Sequence, residues 1–393
     1  MNDERDPIDP GPHGFGEKLL TLLEEGAFST TYKLAVLLAL TDLCLEHSDE
    51  RGHGPSAVST RDLAVRVIEI YWPQATVFPS PRNERVLGQS GRGKAEILES
   101  IVDFRRRFGS DPSAPISEAR RIARFEALVD EVEWKLVEMP LPRLQLTGKT
   151  EDPFLYRISW TRDVKRADLR SGRLDRRIRF AGRSSDYLIQ FAGLLRPLVQ
   201  RKWAQMVAKL NKDVIEDSRI EDFLFGAKRV SLVALHADLR ELQSNRCFYC
   251  DAPMRGRVEV DHFIPWARHP DNSIENLVIA DARCNNDKRD FIASTSHTLR
   301  WSGERAGFAA SHASQLSEIA RSRSWDSDPS RVRSIARSIY LRLPNGKKLW
   351  RERDVFEDFD PTRWRSTLAE ALQPGNAAVS LVAEGSPSYE ARR

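Results

Sequence analysis

Three of the four cysteines of this 393-residue chain lie in one segment, with the spacing of a metal site. Cys247 and Cys250 are separated by two residues, so their thiolates could bind one zinc ion. A tetrahedral site needs two further ligands. Cys284 could supply one, and Asp281, three residues before it, could supply the other. We therefore predict a structural zinc site formed by these four residues; the alternative is a group of small buried thiols without a metal.

An Asp-His pair and two asparagines in the same segment have the residue types of a second, catalytic metal site. Asp261 and His262 follow a short β-like run, and Asn285 lies just inside a predicted helix. A strand pair followed by a helix would bring these three residues together. Asp and Asn oxygens suit Mg²⁺ or Mn²⁺, and a histidine can take a proton from water near neutral pH. This combination predicts a one-metal phosphodiesterase site in which His262 activates the water.

The segment resembles the HNH (ββα-metal) endonuclease family in its zinc-ribbon form. Four motifs carry the resemblance, in chain order: Cys247-x-x-Cys250, Asp261-His262-Phe263-Ile264-Pro265, Asn276-Leu277 and Cys284-Asn285-Asn286-Asp287-Lys288. Asp281 departs from the family pattern, which usually has cysteine at that position. This departure concerns the structural metal and leaves the catalytic residues intact. His269 and His297 lie nearby but fit no position of the pattern, and we expect them to be ordinary loop residues.

The resemblance implies a role for each residue of the pattern. His262 corresponds to the general base, and Asp261 and Asn285 correspond to the ligands of a catalytic Mg²⁺ or Mn²⁺. Asn276 corresponds to the middle residue of the family, whose side chain braces the loop that holds the histidine. Lys288 is the matching basic residue of the helix and is expected near a DNA phosphate.

The stretch 162–183 is strongly basic, with nine Lys or Arg residues against three Asp. Guanidinium groups suit phosphate contacts because their donors form a fixed fork. Two interpretations remain open for this stretch: a solvated face, or an arm that contacts DNA without reading its sequence. In the second interpretation the contacting residues are Arg173, Arg176, Arg177 and Arg179.

The patterns around these sites predict a mainly α chain with a small α+β insert, in which a ββα-metal (HNH) module with a structural zinc is flanked by helical domains. Apolar residues recur with helical spacing before the insert, and alternation around Gly148 favours a short hairpin. We expect a flexible tail at 1–16 and a helical domain at 17–150. The region 151–240 contains the hairpin, the basic stretch and long helices, and it is a candidate for DNA contact. The HNH domain follows at 241–300, then a helical region at 301–367 and a flexible tail at 368–393.

Composition restricts the class of protein and its environment. Hydrophobic residues make up 40% of the chain, which is sufficient for a core, and the net charge of +4 leaves room for a local basic face. Four cysteines do not form a disulfide scaffold, and the polar, acidic N-terminus lacks the order of a signal peptide. The longest apolar run, 34–45, contains Asp42 and is too short to span a bilayer. We therefore expect a cytoplasmic protein without a membrane segment.

Two functions of different classes compete. The leading hypothesis is a metal-dependent endonuclease acting on DNA, with double-stranded DNA as the expected partner. The resemblance further suggests restriction or anti-phage defence, with a homodimer or a defence-system partner protein. The alternative is a non-catalytic zinc-ribbon module that binds nucleic acid or protein. The adjacent Asp261 and His262 argue against this alternative, because a scaffold needs zinc ligands and a packed helix but has no use for that pair.

Overall fold

The chain is described by a computed structural model in which helices predominate and strands form small sheets. The expectation of a mainly α chain with small β elements is therefore confirmed. The residues that the structure describes are 9–26, 29–79, 84–91, 95–108, 115–147, 150–212, 220–226, 231–307, 310–362 and 364.

The α-helices follow one another along the whole described chain. In chain order they are α1 (Gly11–Glu25), α2 (Tyr32–Glu46), α3 (Thr60–Tyr71), α4 (Glu96–Phe108), α5 (Ile116–Arg120), α6 (Arg124–Glu138), α7 (Arg166–Arg170), α8 (Ser184–Leu210), α9 (Ile220–Phe225), α10 (His236–Leu242), α11 (Ala282–Lys288), α12 (Thr295–Trp301), α13 (Ala313–Ser322) and α14 (Pro329–Tyr340).

The strands are short, and every pair between them is antiparallel. One sheet has the order β1-β5-β4, and the other strands pair as β2-β3, β6-β7 and β8-β9. The bounds are β1 (Ala57–Ser59), β2 (Leu146–Thr147), β3 (Thr150–Glu151), β4 (Tyr156–Arg157), β5 (Arg177–Phe180), β6 (Val258–His262), β7 (Leu277–Asp281), β8 (Lys348–Glu352) and β9 (Val355–Asp358).

Helix α2 forms the centre of the N-terminal half because it is apolar on nearly every side. Its residues from Leu34 to Leu45 are all buried, and α3, α8 and α14 pack around it. The apolar run noted in the sequence is therefore a core helix. No helix within the described ranges combines the length and apolarity needed to cross a membrane.

The sheet β1-β5-β4 joins segments that the sequence analysis divided at 150/151. Ala57 pairs with Arg179, and Tyr156 pairs with Phe180. The strand that precedes α3 thus shares a sheet with the basic stretch, and α8 packs on α2. The expected boundary at 150/151 does not separate two structural units, because long-range strand pairing and helix packing cross it.

The expected tails and the C-terminal region also need correction. Helix α1 begins at Gly11, and its Phe15 is buried against Phe154 and Tyr187. Residues 11–16 therefore belong to a packed helix and not to a flexible tail, while residues 1–8 lie outside the described residues. The region 301–367 contains α13 and α14 as expected, but it also contains the hairpin β8-β9, which was not predicted. The tail expected at 368–393 lies outside the described residues.

The segment with the HNH pattern is a pair of antiparallel strands followed directly by a helix. Val258 on β6 lies opposite Asp281 on β7, and His262 lies opposite Leu277. Helix α11 begins at Ala282, one residue after β7 ends. Strands followed by a helix were expected here, and the assignment of the unit as a ββα-metal fold stays a prediction.

The connection 263–276 between β6 and β7 reaches back to the N-terminal helices. His269 on this connection has no exposed surface and lies beside Asp42 and Glu46 of α2. His297 lies on α12, where it is buried and stacks on Trp350. His269 therefore lies in a loop as expected, whereas His297 lies on a helix, and tertiary packing covers both side chains.

Candidate active site and metal centre

Three cysteine thiols lie close together in the segment with the HNH pattern. The Sγ atoms of Cys247, Cys250 and Cys284 all lie within 4.8 Å of one another. A hydrogen bond from the Cys284 thiol lowers the pKa of Cys247, which favours the thiolate form that binds metals. These three residues, which we call the thiol cluster, fit three positions of a tetrahedral zinc site.

The Asp281 carboxylate is engaged away from the thiol cluster. It is the N-cap of α11, where Oδ1 accepts a hydrogen bond from the Arg283 amide at 2.8 Å. Its backbone amide donates to Cys247 Sγ at 3.4 Å. Among the described residues, the group of ligand atoms that could hold a metal contains the three thiols and not this carboxylate. The structure thus does not place the Asp281 carboxylate together with the three thiols as a fourth ligand, and its Oδ1 caps helix α11 instead.

The Asp261 carboxylate at the end of β6 is held by two buried side chains. Its Oδ2 accepts a hydrogen bond from the Tyr249 hydroxyl at 2.5 Å and lies 2.9 Å from Lys288 Nζ. Burial, together with the charge of Asp261, raises the pKa of Tyr249, so the hydroxyl keeps its proton and donates. Both contacts use Oδ2, which leaves Oδ1 for another ligand.

Lys288 lies inside the protein and not on a DNA-facing surface. Its side chain is 0% exposed, and Nζ contacts both Asp261 Oδ2 and the carbonyl oxygen of His262 at 2.9 Å. A buried ammonium is tolerated when it is paired and hydrogen-bonded in this way. The expectation that Lys288 contacts a phosphate is therefore corrected: it positions the carboxylate of Asp261 and the backbone of His262.

The His262 ring is buried and held by the connection that follows β6. Its Nε2 lies 2.8 Å from Asn272 Oδ1, and its ring lies 5.2 Å from that of Trp266. Because an amide oxygen only accepts, this contact places the proton on Nε2 and leaves Nδ1 as the basic nitrogen. Burial lowers the pKa of His262, which keeps the ring neutral at pH 7. A neutral, oriented imidazole is suited to accept a proton.

Asn276 fixes the backbone at two places within this connection. Its Oδ1 accepts from the Ile264 amide at 2.8 Å, and its Nδ2 donates to the carbonyls of Asp271 and Ile264 at 3.0 and 3.3 Å. The residue has no exposed surface. These hydrogen bonds close the chain that carries His262 into a fixed loop.

Asn285 on α11 faces β6. Its Nδ2 donates to Glu259 Oε2 at 2.7 Å, and Glu259 is two residues before Asp261 on the same strand. Asn285, Asp261 and His262 line one solvent-open pocket. The other residues around this pocket are Ser231, Leu232, Val233, Val260, Pro265, Trp266, Asn286, Arg289 and Asp290.

The arginines of the basic stretch have carboxylate partners within the chain. The pairs, each with an N–O distance of at most 3.5 Å, are Arg173 with Asp168, Arg176 with Glu133, and Arg177 and Arg179 with Asp175. None of these arginines is among the described residues that line the pocket of His262. The structure does not bring the stretch to the candidate active site, and its contact with DNA stays a prediction.

Three supporting residues were missed by the sequence analysis. Tyr249 lies between the two cysteines of the CxxC, Asn272 precedes Asn276 on the connection, and Glu259 precedes Asp261 on β6. Of these, only Glu259 carried a signal, since side chains two apart on a strand face the same side. Tyr249 and Asn272 act through contacts that depend on how the segment folds.

Comparison with protein families supports this description of the segment. Residues 247–294 match the model of the HNH endonuclease family, so the chain contains an HNH endonuclease domain and the resemblance seen in the sequence is confirmed. Residues 13–224 match the model of a family described as a domain of unknown function (DUF8808). This match covers more than half of the 393 residues, and the chain belongs to that family. Comparisons with curated proteins and with solved structures found no match.

Proposed function

We propose that the protein is a metal-dependent endonuclease that hydrolyses DNA phosphodiester bonds with His262 as the general base. The observation that carries this proposal is the pocket shared by Asp261, His262 and Asn285, inside a segment that matches the HNH family. A proton acceptor and two oxygen ligands beside one open pocket are the groups that metal-assisted hydrolysis needs.

Asp261 and Asn285 are the residues that would hold the catalytic Mg²⁺ or Mn²⁺. Tyr249 and Lys288 use only Oδ2 of Asp261, and Asn285 donates its amide nitrogen to Glu259, so each ligand keeps an oxygen for the ion. Carboxylate and amide oxygens are suited to these hard cations. When bound, such an ion stabilises negative charge on the phosphate and on the leaving oxygen.

The remaining residues orient the base. His262 takes a proton from water on Nδ1 while Asn272 holds Nε2. Lys288 holds the carbonyl oxygen of His262, and Asn276 holds the amide of Ile264 two residues later, which limits movement of the ring. The thiol cluster would hold a structural zinc, with a fourth ligand other than the Asp281 carboxylate.

Nicking of supercoiled plasmid tests the proposal. Wild-type protein with Mg²⁺ or Mn²⁺ is expected to convert the plasmid to the open circle, and His262→Ala is expected to slow this by at least about 100-fold, the usual contribution of a general base. His47→Ala, at an exposed position after α2, is the matched control and should cut like the wild type. Intact plasmid in all reactions would favour the non-catalytic binding module, and equal cutting by His262→Ala would reject the assigned base.

Double-stranded DNA as substrate and a role in restriction or anti-phage defence are further parts of the proposal, supported only by the family match. A single HNH site cuts one strand per encounter, so a double-strand break would require a homodimer, a partner protein or two visits. Phage plating on cells that produce wild-type or His262→Ala protein tests the defence role: only the active protein should lower the number of plaques.

A further inference from the structure

The segment 325–331, which links α13 to the first turn of α14, lies along the second half of the connection 263–276. The Ile274 amide donates to the carbonyl of Asp326 at 3.0 Å. Ile274 and Glu275 are at most 3% exposed, and the side chain of Glu275 accepts a hydrogen bond from the segment at 3.2 Å. The segment lies outside the residues that match either family model. Part of the chain beyond the HNH match therefore supports the connection that follows the candidate base.

Two side chains of the segment hold the connection at Asn272. Trp325 Nε1 donates to the carbonyl of Asn272 at 2.6 Å. Arg331 Nη2 donates to Asp271 Oδ1 at 2.8 Å and to Ser273 Oγ at 2.7 Å. Indole and guanidinium groups only donate, so all three contacts tie acceptors of the connection to the segment. The backbone of Asn272 is thus held directly and through both of its neighbours.

Asn272 carries this support to the candidate base. Its side-chain Oδ1 lies 2.8 Å from His262 Nε2, while its carbonyl oxygen accepts from Trp325. Trp325 is 5% exposed, so water competes little for that hydrogen bond. Catalytic groups need supporting residues that hold them within about 0.5 Å of their productive position. A shift of the Asn272 backbone would move its side-chain oxygen away from Nε2 and release the ring.

The segment is itself anchored to helices of the N-terminal half. The carboxylate of Asp326 pairs with Arg120 of α5 at 2.9 Å, and Arg120 also pairs with Glu69 of α3. Arg331 lies 4.0 Å from the same Glu69 carboxylate. Ion pairs joined in a network fix geometry better than isolated exposed pairs do. The segment therefore has a fixed position from which to support Asn272.

We propose that Trp325 is a positioning residue of the nuclease reaction. Through Asn272 it holds the His262 ring with the proton on Nε2 and with Nδ1 free to take a proton from water. Arg331 supports the same contact from the residues on either side of Asn272. The catalytic consequence rests on the proposed function, whereas the orientation of the ring does not. The competing interpretation is that the indole only fills space, in which case loss of its N–H leaves His262 unchanged.

Nuclear magnetic resonance of protein labelled with ¹⁵N at histidine tests the orientation without cleavage, at pH 7 and without added Mg²⁺ or Mn²⁺. The signals of His262 are those missing from His262→Ala, and their couplings to the ring protons identify each nitrogen. In the wild type the proton is expected on Nε2. Trp325→Phe keeps an aromatic ring but removes the donor to Asn272, so the two nitrogen shifts should move toward each other as both tautomers become populated.

Trp160→Phe is the matched control. Trp160 is 7% exposed, and its Nε1 donates to the carbonyl of Val137 at 3.0 Å, so this variant also loses one buried indole hydrogen bond. Both variants should melt at similar temperatures, but Trp160→Phe should keep the wild-type shifts of His262. A wild-type proton on Nδ1, or unchanged His262 shifts in Trp325→Phe, would overturn the proposal.

A double-mutant cycle on plasmid nicking tests the catalytic consequence. Trp325→Phe should slow nicking roughly threefold to tenfold, the rate equivalent of one hydrogen bond. If Trp325 acts through Asn272, the double variant with Asn272→Ala should be no slower than Asn272→Ala alone. Full additivity of the two losses would overturn the proposal. If the wild type does not nick DNA, the proposed function fails, and the histidine spectra alone decide whether Trp325 positions His262.

Discussion

The Tyr249 hydroxyl donates a hydrogen bond to Asp261 Oδ2 at 2.5 Å. Tyr249 lies between Cys247 and Cys250, so one side chain joins the thiol cluster to the carboxylate of the candidate active site. A metal in the cluster would therefore fix the position of Tyr249, and through it the position of Asp261. The thiol cluster and the candidate active site are coupled by a direct contact.

Replacing Tyr249 with Phe tests this coupling. Tyr249→Phe keeps the ring, which packs against Phe248 and Trp350, but removes the hydrogen bond to a charged group, worth about 1.5–3 kcal/mol. We expect plasmid nicking to fall about tenfold or more while the zinc content per chain stays unchanged. Normal activity of Tyr249→Phe would show that Lys288 alone holds the carboxylate.

Replacing Lys288 distinguishes a buried partner from a phosphate contact. Lys288→Met leaves the carboxylate of Asp261 without its cation, and breaking a buried pair costs about 3–5 kcal/mol of unfolding free energy. We expect a urea midpoint that falls accordingly, together with loss of nicking. Arg283→Met, at an exposed position of the same helix, is the control and should change the unfolding free energy by no more than about 0.5 kcal/mol. A stable Lys288→Met protein with a weaker salt dependence of DNA binding would instead restore the phosphate contact.

The order of strands and helix in the segment with the HNH pattern could be predicted because the residues that determine it lie close together in the sequence. Strand, connection, strand and helix follow one another between Val258 and Lys288, and the spacing of Asp261, His262 and Asn285 has meaning within that unit alone. The mainly helical class was predictable for the same reason, since apolar periodicity is read within single elements.

Contacts between distant parts of the chain were not predictable. Lys288 has the sequence context of a DNA-facing residue, and only the packing of α11 on β6 shows that it is buried. His269 contacts Asp42, which lies 227 positions earlier in the chain. The Asp281 carboxylate could bind a metal or cap a helix, and the sequence does not decide between these two roles.

Metal analysis of two variants tests the assignment of Asp281. Asn caps helices as well as Asp does, so Asp281→Asn should keep the metal content and the unfolding free energy within a few tenths of a kcal/mol. Cys284→Ser should lose the metal and much of the stability, because a structural zinc contributes directly to folding. The measurement is zinc per chain by mass spectrometry, followed by thermal unfolding. Loss of zinc from Asp281→Asn would make the carboxylate a ligand after all.

The pH dependence of stability tests the buried contact between the connection 263–276 and α2. Burial, with the positive charges of Arg66, Arg196 and Arg331, lowers the pKa of His269 well below its usual 6.5. The carboxylates of Asp42 and Glu46 also face the ring, at 3.6 and 3.2 Å. Both are already paired with arginines, Asp42 with Arg196 and Glu46 with Arg66, so we expect the imidazole to stay neutral in the folded protein.

The sign of the effect follows from proton binding. Below the unfolded pKa of about 6.5 the unfolded chain binds a proton at His269 that the folded chain does not, so stability falls as the pH falls, by at most about 1.4 kcal/mol per pH unit. Urea unfolding at pH 7, 6 and 5 should show a smaller loss of stability for His269→Gln than for the wild type. His47→Gln, at an exposed position, should keep the wild-type slope. A steeper loss in His269→Gln would mean that an imidazolium pairs with Asp42 and Glu46 and stabilises the contact at low pH.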